Sequence, residues 1–324
     1  MRVQTMIRAG LWLAVLGVGA GIGAVLAASF QRQAAHQTTW SCEDLIRGLK
    51  SNSAKDRKAS ANGLARCAGK IDDAFATLRI KAEQDSDQSV RASCTMLLGY
   101  LAWNEVRAKR TKDVLDRLMV TDPDPTVRVS AAWAVGELGS HAAPGSGLLA
   151  ALRDNEADVR ETALASLARI RPSGGEVVVA VRALLEDDVA AVRAAAADAL
   201  GRLPEVDEQT ETALVAASED SSDDVRRAAL ISIGRLGVND DGAVKSLIAA
   251  LEDDSSMIRA ASAWAIGELG PDARSAAPAL QRVLESGADE CDAPYERHAL
   301  DRIRGAAEKA ELALPPGEGL NLLD

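Results

Sequence analysis

The sequence predicts an all-α protein, an α-solenoid of about eight helical hairpins after one N-terminal transmembrane or signal helix. Three observations predict it: a residue pattern that recurs about every 33 positions, helical spacing of the apolar residues within each copy, and few aromatic residues, at 3%. With so few aromatics the core must be built from Ala, Leu, Val and Ile, a composition that favours helices over strands.

The recurring pattern is anchored by an arginine that follows Val or Ile at steps of 37, 32, 33, 33 and 33 residues. An aspartate stands six residues before each of these arginines. The six pairs are Asp85 and Arg91, Asp122 and Arg128, Asp154 and Arg160, Asp187 and Arg193, Asp220 and Arg226, and Asp253 and Arg259. A period of this length is typical of stacked helical units.

Each copy also carries small or aliphatic residues three, seven and ten positions after its arginine, such as Ala196, Leu200 and Leu203 after Arg193. This spacing marks one face of an α-helix, so each repeat is predicted to end in an amphipathic helix. A second apolar run precedes each aspartate, as in residues 177–187. Each repeat is therefore predicted to contain two helices, a first helix before the aspartate and a second helix that carries the arginine.

The Asp and Arg columns predict a structural ladder between repeats. An aspartate in the turn before a helix can accept backbone N–H bonds at the helix start. The arginine one turn into that helix can then bridge the aspartate of its own repeat and that of the neighbour. We interpret the ladder as structural rather than catalytic, because one such pair in every repeat does not form an active site.

The phrase DPDPTVRVSAAWAVGELG at residues 122–139, with its five relatives, resembles HEAT repeats of the short, phycobilisome-lyase-like class. The resemblance covers roughly residues 40–305, with fainter end copies centred on Arg57 and Arg297. It implies a right-handed α-solenoid of HEAT-like repeats whose second helices line a concave surface. End copies deviate because they face solvent on one side.

Positions five and nine after each arginine are the candidate functional positions. Position five lies about 160° round the helix from position three, so position five faces away from the core. Position nine lies near position five on the helix surface. Position five carries Met96, Trp133, Ala165, Asp198, Ile231 and Trp264, and position nine carries Tyr100, Glu137, Arg169, Arg202, Arg235 and Glu268. The predicted partner-binding residues are Trp133, Glu137, Ile231, Trp264, Glu268, Arg169, Arg202 and Arg235. Trp and Arg are enriched at binding hot spots, but the tryptophans could instead cover a neighbouring helix.

The N-terminus predicts a membrane segment. Residues 9–30 form 22 uncharged, mostly apolar residues after a basic cytoplasmic n-region at 1–8, which is enough to cross a bilayer. We therefore expect a bacterial inner-membrane protein whose repeat domain is exported to the periplasm or cell exterior. The alternative is a signal peptide, cleaved near the small residues 27–29, that leaves a periplasmic or secreted protein.

The predicted domain order is the n-region 1–8, the anchor or signal peptide 9–30, a linker 31–39, the repeat domain 40–310 and a tail 311–324. Overlapping G-x-x-x-G spacings within 17–23 could permit weak self-association through the membrane helix, although glycine is also simply common in such segments.

Two of the four cysteines could form a disulfide. Cys42 begins the first helix of the first repeat, and Cys67 lies at the end of its second helix. The two ends are neighbours in an antiparallel helix pair, so a bond there would staple the N-terminal repeat. The alternative is that both are small buried hydrophobic residues.

The composition argues against several function classes. A net charge of −11 disfavours a nucleic-acid partner. The basic run Arg107, Lys109, Arg110 and Lys112 is interpreted as a solvated helix face. The histidines, His36, His141 and His298, are too scattered for a catalytic triad, and none is followed by Glu as in HEAT-type di-iron hydroxylases. We expect no catalytic residue, cofactor or metal site.

The predicted function is a membrane-anchored or exported scaffold that binds a protein or peptide partner along its concave helices. The alternative is an accessory subunit of a lyase-like or other protein-modifying enzyme, active only with a partner.

Overall fold

A computed structural model describes residues 40–70, 72–102, 105–139, 146–287 and residue 305. Within these ranges the regular structure is entirely helical. The chain divides into two compact units, Met1–Pro172 and Ser173–Asp324. The all-α prediction is therefore confirmed for the part of the chain that the structure describes.

The first unit consists of antiparallel helix pairs. Its helices are α1 (Cys42–Gly48), α2 (Ala54–Leu64), α3 (Asp72–Gln84), α4 (Gln88–Leu101), α5 (Glu105–Thr121), α6 (Pro125–Leu138), α7 (Ser146–Ala151) and α8 (Ala157–Ile170), with a 3₁₀ segment at Ala65–Lys70. The even-numbered helices are the second helices of their repeats, and they pack in series, α2 on α4, α4 on α6 and α6 on α8.

The second unit repeats this arrangement. Its helices are α9 (Gly175–Arg182), α10 (Ala190–Leu200), α11 (Glu208–Ala217), α12 (Asp223–Leu236), α13 (Asp241–Ala250), α14 (Ser256–Leu269) and α15 (Ala277–Gly287), with 3₁₀ segments at Ala183–Glu186 and Gly270–Ala276. The second helices again pack in series, α10 on α12 and α12 on α14.

The predicted core columns are buried. Every residue three or seven positions after a repeat arginine is inaccessible to solvent, as for Ala163 and Leu167 after Arg160. At position ten Ile170 and Leu236 are half-buried, whereas the other four residues are buried. The columns are buried as helical spacing requires, because each second helix turns one stripe of its surface toward the neighbouring helices of its own unit.

A glycine column brings successive second helices into backbone contact. A Cβ added at Gly99 of α4 would lie 2.6 Å from the Cβ of Ala134 in α6, and one added at Gly234 of α12 would lie 2.8 Å from the Cα of Ala265 in α14. Only glycine permits so close an approach. The column stands eight positions after the repeat arginine.

Several predicted segments fall outside the described residues: the n-region 1–8, the membrane segment 9–30, the linker 31–39, the end repeat centred on Arg297 and the tail 311–324. Among the helices that the structure does describe, none is both long enough and apolar enough to span a bilayer.

Candidate functional site

Within each unit, the Asp–Arg ladder links neighbouring repeats through five contacts in the described part of the chain. The arginine of one repeat donates Nε and Nη2 to the two carboxylate oxygens of the aspartate in the following repeat. The donor–acceptor distances are 2.7 and 2.6 Å for Arg57 to Asp85, 2.8 and 2.9 Å for Arg91 to Asp122, 2.7 and 2.8 Å for Arg128 to Asp154, 2.7 and 2.8 Å for Arg193 to Asp220, and 3.1 and 3.2 Å for Arg226 to Asp253. Such bidentate pairs are among the strongest hydrogen-bonded contacts in proteins.

Within its own repeat the arginine contacts the backbone of the aspartate instead of its carboxylate. Nη1 of Arg193 donates to the carbonyl oxygen of Asp187 at 2.8 Å, and Arg259 does the same to Asp253 at 2.8 Å. The aspartate carboxylate accepts the backbone N–H two residues later, as Asp220 does from Ser222 at 2.8 Å. The arginine thus bridges the aspartates of two repeats, through the carbonyl oxygen of its own aspartate and the carboxylate of the next, as for Arg193 with Asp187 and Asp220.

The ladder pairs are buried most deeply at the N-terminal end. Side-chain exposure is 9% and 1% for Arg57 and Asp85, and rises to 18% and 17% for Arg226 and Asp253. Burial by itself would raise the pKa of Asp85, but hydrogen bonds from Arg57, the N–H of Asp87 and Lys81 outweigh it and lower that pKa to about 2. The pair is therefore ionised at neutral pH, which suits a structural contact better than proton transfer.

In the first unit, the outward positions of α6 and α8 are joined by an ion pair. Glu137 of α6 pairs with Arg169 of α8, and both side chains remain partly exposed. Trp133, one turn before Glu137, is half-buried, and Ala165 is exposed. The first unit thus presents an aromatic ring beside a paired charge.

Met96 does not belong to this outward face. It is predicted to point away from the core, but it is 5% exposed. Its helix, α4, packs against α2, α3 and α6, and the residues from Ala92 to Gly99 are all buried. Position five of α4 is therefore part of the buried packing surface of this helix.

In the second unit, a charge cluster crosses from α10 to α12. Asp198 of α10 accepts hydrogen bonds from Arg202, in the turn that follows this helix, at 2.8 Å and from Arg235 of α12 at 2.7 Å. The three side chains are between 24% and 38% exposed. The predicted stripe of arginines is therefore partly neutralised, because Asp198 lies between Arg202 and Arg235 and binds both.

Ile231 and Trp264 lie on the same outward positions of α12 and α14, and both are half-buried, while Glu268 is exposed. The indole of Trp264 covers the glycine column: its Cζ3 lies 3.1 Å from a Cβ added at Gly234. This tryptophan therefore packs across the preceding helix and still offers part of its ring to solvent. We call residues Asp198, Arg202, Ile231, Arg235, Trp264 and Glu268 the second-unit face.

The N-terminal repeat is stapled by a disulfide between Cys42 and Cys67, with a Cα–Cα distance of 5.8 Å. Cys94 is a free, buried thiol, and burial raises its pKa to about 12, so it is unreactive at neutral pH. Cys291 lies outside the described residues.

No group of three or more His, Cys, Asp or Glu side chains within the described ranges is arranged to hold a metal ion. The sequence did not reveal which residues of the outward face bind one another. Asp198 stands in the position-five list, but nothing in the sequence indicates that it binds Arg235, 37 residues later.

Paired helices that stack through a repeated Asp–Arg ladder define the chain as an α-helical repeat protein. The sequence model of HEAT repeats matches residues 75–144, 145–214 and 210–299, which is more than half of the chain. The chain therefore belongs to the HEAT-repeat family, and the resemblance seen in the sequence is confirmed. No curated protein matches the chain significantly.

The fold is similar to several solved structures. YibA of Escherichia coli is 18% identical, with a TM-score of 0.60 over 86% of this chain and 96% of YibA. The structure of Kap95p with RanGDP gives 16% identity and a TM-score of 0.64 over 90% of this chain and 44% of that chain. The complex of CpcE and CpcF of phycocyanin lyase from Nostoc sp. PCC7120 gives 19% identity and a TM-score of 0.45 over 85% of this chain and 96% of that chain. At these identities the likeness is one of fold.

Proposed function

We propose that this protein is a non-catalytic scaffold that binds a protein or extended peptide along the outward face of its second helices. The observation that carries the proposal is the cluster of Asp198, Arg202 and Arg235 beside Ile231 and Trp264. The hydrogen bonds to Asp198 restrain both guanidinium groups before any partner arrives. Less side-chain entropy is then lost on binding, and half-buried apolar groups lie alongside to be covered.

A scaffold also accounts for the Asp and Arg columns that recur along this chain. The Asp–Arg pairs recur in repeat after repeat with the same bidentate geometry, so they hold repeats together. Kap95p, a structural neighbour, was solved in complex with RanGDP, and this HEAT-type fold is thus compatible with holding another protein. That analogy supports a protein partner in general and does not identify one.

We further propose that the repeat domain is exported, with residues 9–30 as its membrane anchor or cleaved signal peptide. The Cys42–Cys67 bond supports export, because disulfides persist in oxidising compartments and are rare in the cytosol. Cell fractionation combined with protease protection tests this proposal. Protection of the repeats in the cytosol, with no cleavage when only the outer compartment is opened to protease, would overturn it.

Site-specific photo-crosslinking tests the binding face. A benzophenone amino acid at Ile231 lies on the second-unit face, and one at Val179 lies on the first helix α9 with 52% exposure. We expect a discrete crosslinked protein in native membranes from position 231 and none from position 179. Equal adducts at both positions, or none at 231, would contradict the proposal. A partner that copurifies with a chromophore or a new covalent modification would favour the accessory-subunit alternative.

A further inference from the structure

A cleft of about 390 Å³ lies between the first helices α3 and α5, away from the second-helix face. Its walls are formed by Phe75, Ala76 and Arg79 of α3 and by Arg107 and Arg110 of α5. Three of the five lining side chains are guanidinium groups, and none of the five is acidic. We propose that this cleft binds a phosphate group carried on an organic molecule.

The charge of the cleft runs against the charge of the protein. The chain has a net charge of −11, yet three arginines meet at one place. In the sequence, Arg107 and Arg110 belong to a basic run that is interpreted as a solvated helix face. The structure adds Arg79 from the preceding repeat and so converts part of that face into a concave basic site.

The hydrogen-bonding state of Arg79 points to a ligand. Its Nε is buried and has no hydrogen-bond partner in the described part of the chain. Neither Arg79 nor Arg110 forms an ion pair with any acidic residue that the structure describes, whereas five of the ladder arginines each bind a carboxylate. A buried donor without a partner is costly, and an anion in the cleft that accepted from it would remove that cost. Arg107 also interacts elsewhere and contributes charge to the wall.

The lining distinguishes between classes of anion. A phosphate presents several oxygens and up to two charges, which suits convergent arginine forks better than a single carboxylate does. Phe75 and Ala76 add an apolar wall that a bare inorganic ion would not use. Ile80 and Val106, adjacent in sequence to Arg79 and Arg107, are 53% and 63% exposed. A phosphate attached to an apolar stem fits these features.

Two sources could supply such a group: a soluble phosphate ester or the headgroup of a membrane lipid. The test uses the full-length protein in detergent micelles and two probes, phenyl phosphate and short-chain dihexanoylphosphatidylglycerol below its micellar concentration. Binding is measured by isothermal titration calorimetry. The cleft variant is Arg79→Gln/Arg110→Gln, and the matched control is Arg153→Gln/Arg274→Gln, which removes the same charge from two exposed positions.

We expect wild type and the control to bind at least one probe, and the cleft variant to bind it at least tenfold more weakly. Tighter binding of phenyl phosphate indicates a soluble ester, and tighter binding of the lipid indicates a headgroup. No binding of either probe by wild type, or equal binding by all three proteins, would overturn the proposal. If the cleft variant fails to fold, the single exposed change Arg110→Gln replaces it, with Arg153→Gln as its control.

This inference does not depend on the proposed scaffold function. The cleft variant leaves Ile231 and the second-unit face unchanged, so crosslinking from position 231 should be the same in wild type and the variant. Loss of anion binding with retained crosslinking shows that the two sites are separate. Absence of crosslinking in a protein that still binds the anion would contradict the scaffold proposal alone.

Discussion

Arg57 and Asp85 form the most buried of the five described ladder contacts, with both carboxylate oxygens of Asp85 hydrogen-bonded to the guanidinium at 2.7 and 2.6 Å. Their side chains are 9% and 1% exposed. Removal of either partner would leave the other charge desolvated and unpaired. Arg57 belongs to the faint first repeat and Asp85 to the first strong copy, so the ladder extends one contact beyond the six strong copies in the sequence.

We expect Arg57→Ala to lower the free energy of unfolding by about 3–5 kcal/mol, because it strands the buried Asp85 carboxylate. Arg226→Ala should cost less, since its pair is more exposed, at 18% and 17%. Urea denaturation of both variants measures the difference. Arg193→Ala lies between them in exposure, and an unchanged melting temperature for that variant would contradict the structural ladder.

The Asp85 pair should also make stability depend on acidic pH. The pKa of the Asp85 carboxyl is about 2 in the folded protein, below the value near 3.9 of an aspartate in an unfolded chain. The contribution of the Asp85 carboxylate to the free energy of unfolding is therefore present above about pH 4. It is lost as the pH falls through about 2, a change of about 2 kcal/mol. Urea midpoints between pH 5 and pH 2 should fall more steeply for wild type than for Asp85→Asn. Parallel slopes would refute this assignment.

The glycine column should not tolerate even a methyl group. In Gly99→Ala the new Cβ would lie 2.7 Å from the backbone Cα of Ala134, so α4 and α6 must separate. We expect a loss of about 1–3 kcal/mol by thermal unfolding. Gly175→Ala is the matched control, because nothing lies within 4 Å of its added Cβ, and it should be neutral or slightly stabilising. Similar losses in both variants would show that packing is not the cause.

Arg171 ends α8 in the left-handed conformation, with φ of 54°, where Gly237 ends α12 with φ of 71°. A side chain is unfavourable in this conformation and glycine is not. We expect Arg171→Gly to be more stable than Arg171→Ala by about 1 kcal/mol. Both variants lose the same arginine side chain, so their difference in urea midpoint reports the backbone alone. An equal midpoint would mean that the turn relaxes without strain.

The disulfide can be checked by counting thiols on denatured, non-reduced protein isolated from cells. We expect two reactive thiols, Cys94 and Cys291, and four after reduction. Four thiols before reduction would rule out the Cys42–Cys67 bond. The double variant Cys42→Ala/Cys67→Ala should lose about 3 kcal/mol of stability, because the bond closes a loop of 25 residues and restricts the unfolded chain.

Several features of the site could be predicted because they depend on positions along one helix. Ala163 and Leu167 follow Arg160 by three and seven residues, and that spacing alone places them on the buried face. The same argument places Glu137, Arg235 and Glu268 outward, where they are exposed. It failed for Met96, which is buried by contacts between helices that spacing along one helix does not specify.

Periodicity along the chain is sufficient to identify a helical repeat protein with one Asp, one Arg and three core positions in each strong copy. The residues that meet are visible only in the folded chain: Asp198 with Arg235, Trp264 with Gly234, and Arg79 with Arg107 and Arg110 around one cleft. The physical reason is that periodicity fixes the direction of a side chain on its own helix. The residue opposite it depends on the offset and spacing of two packed helices, which no single helix specifies.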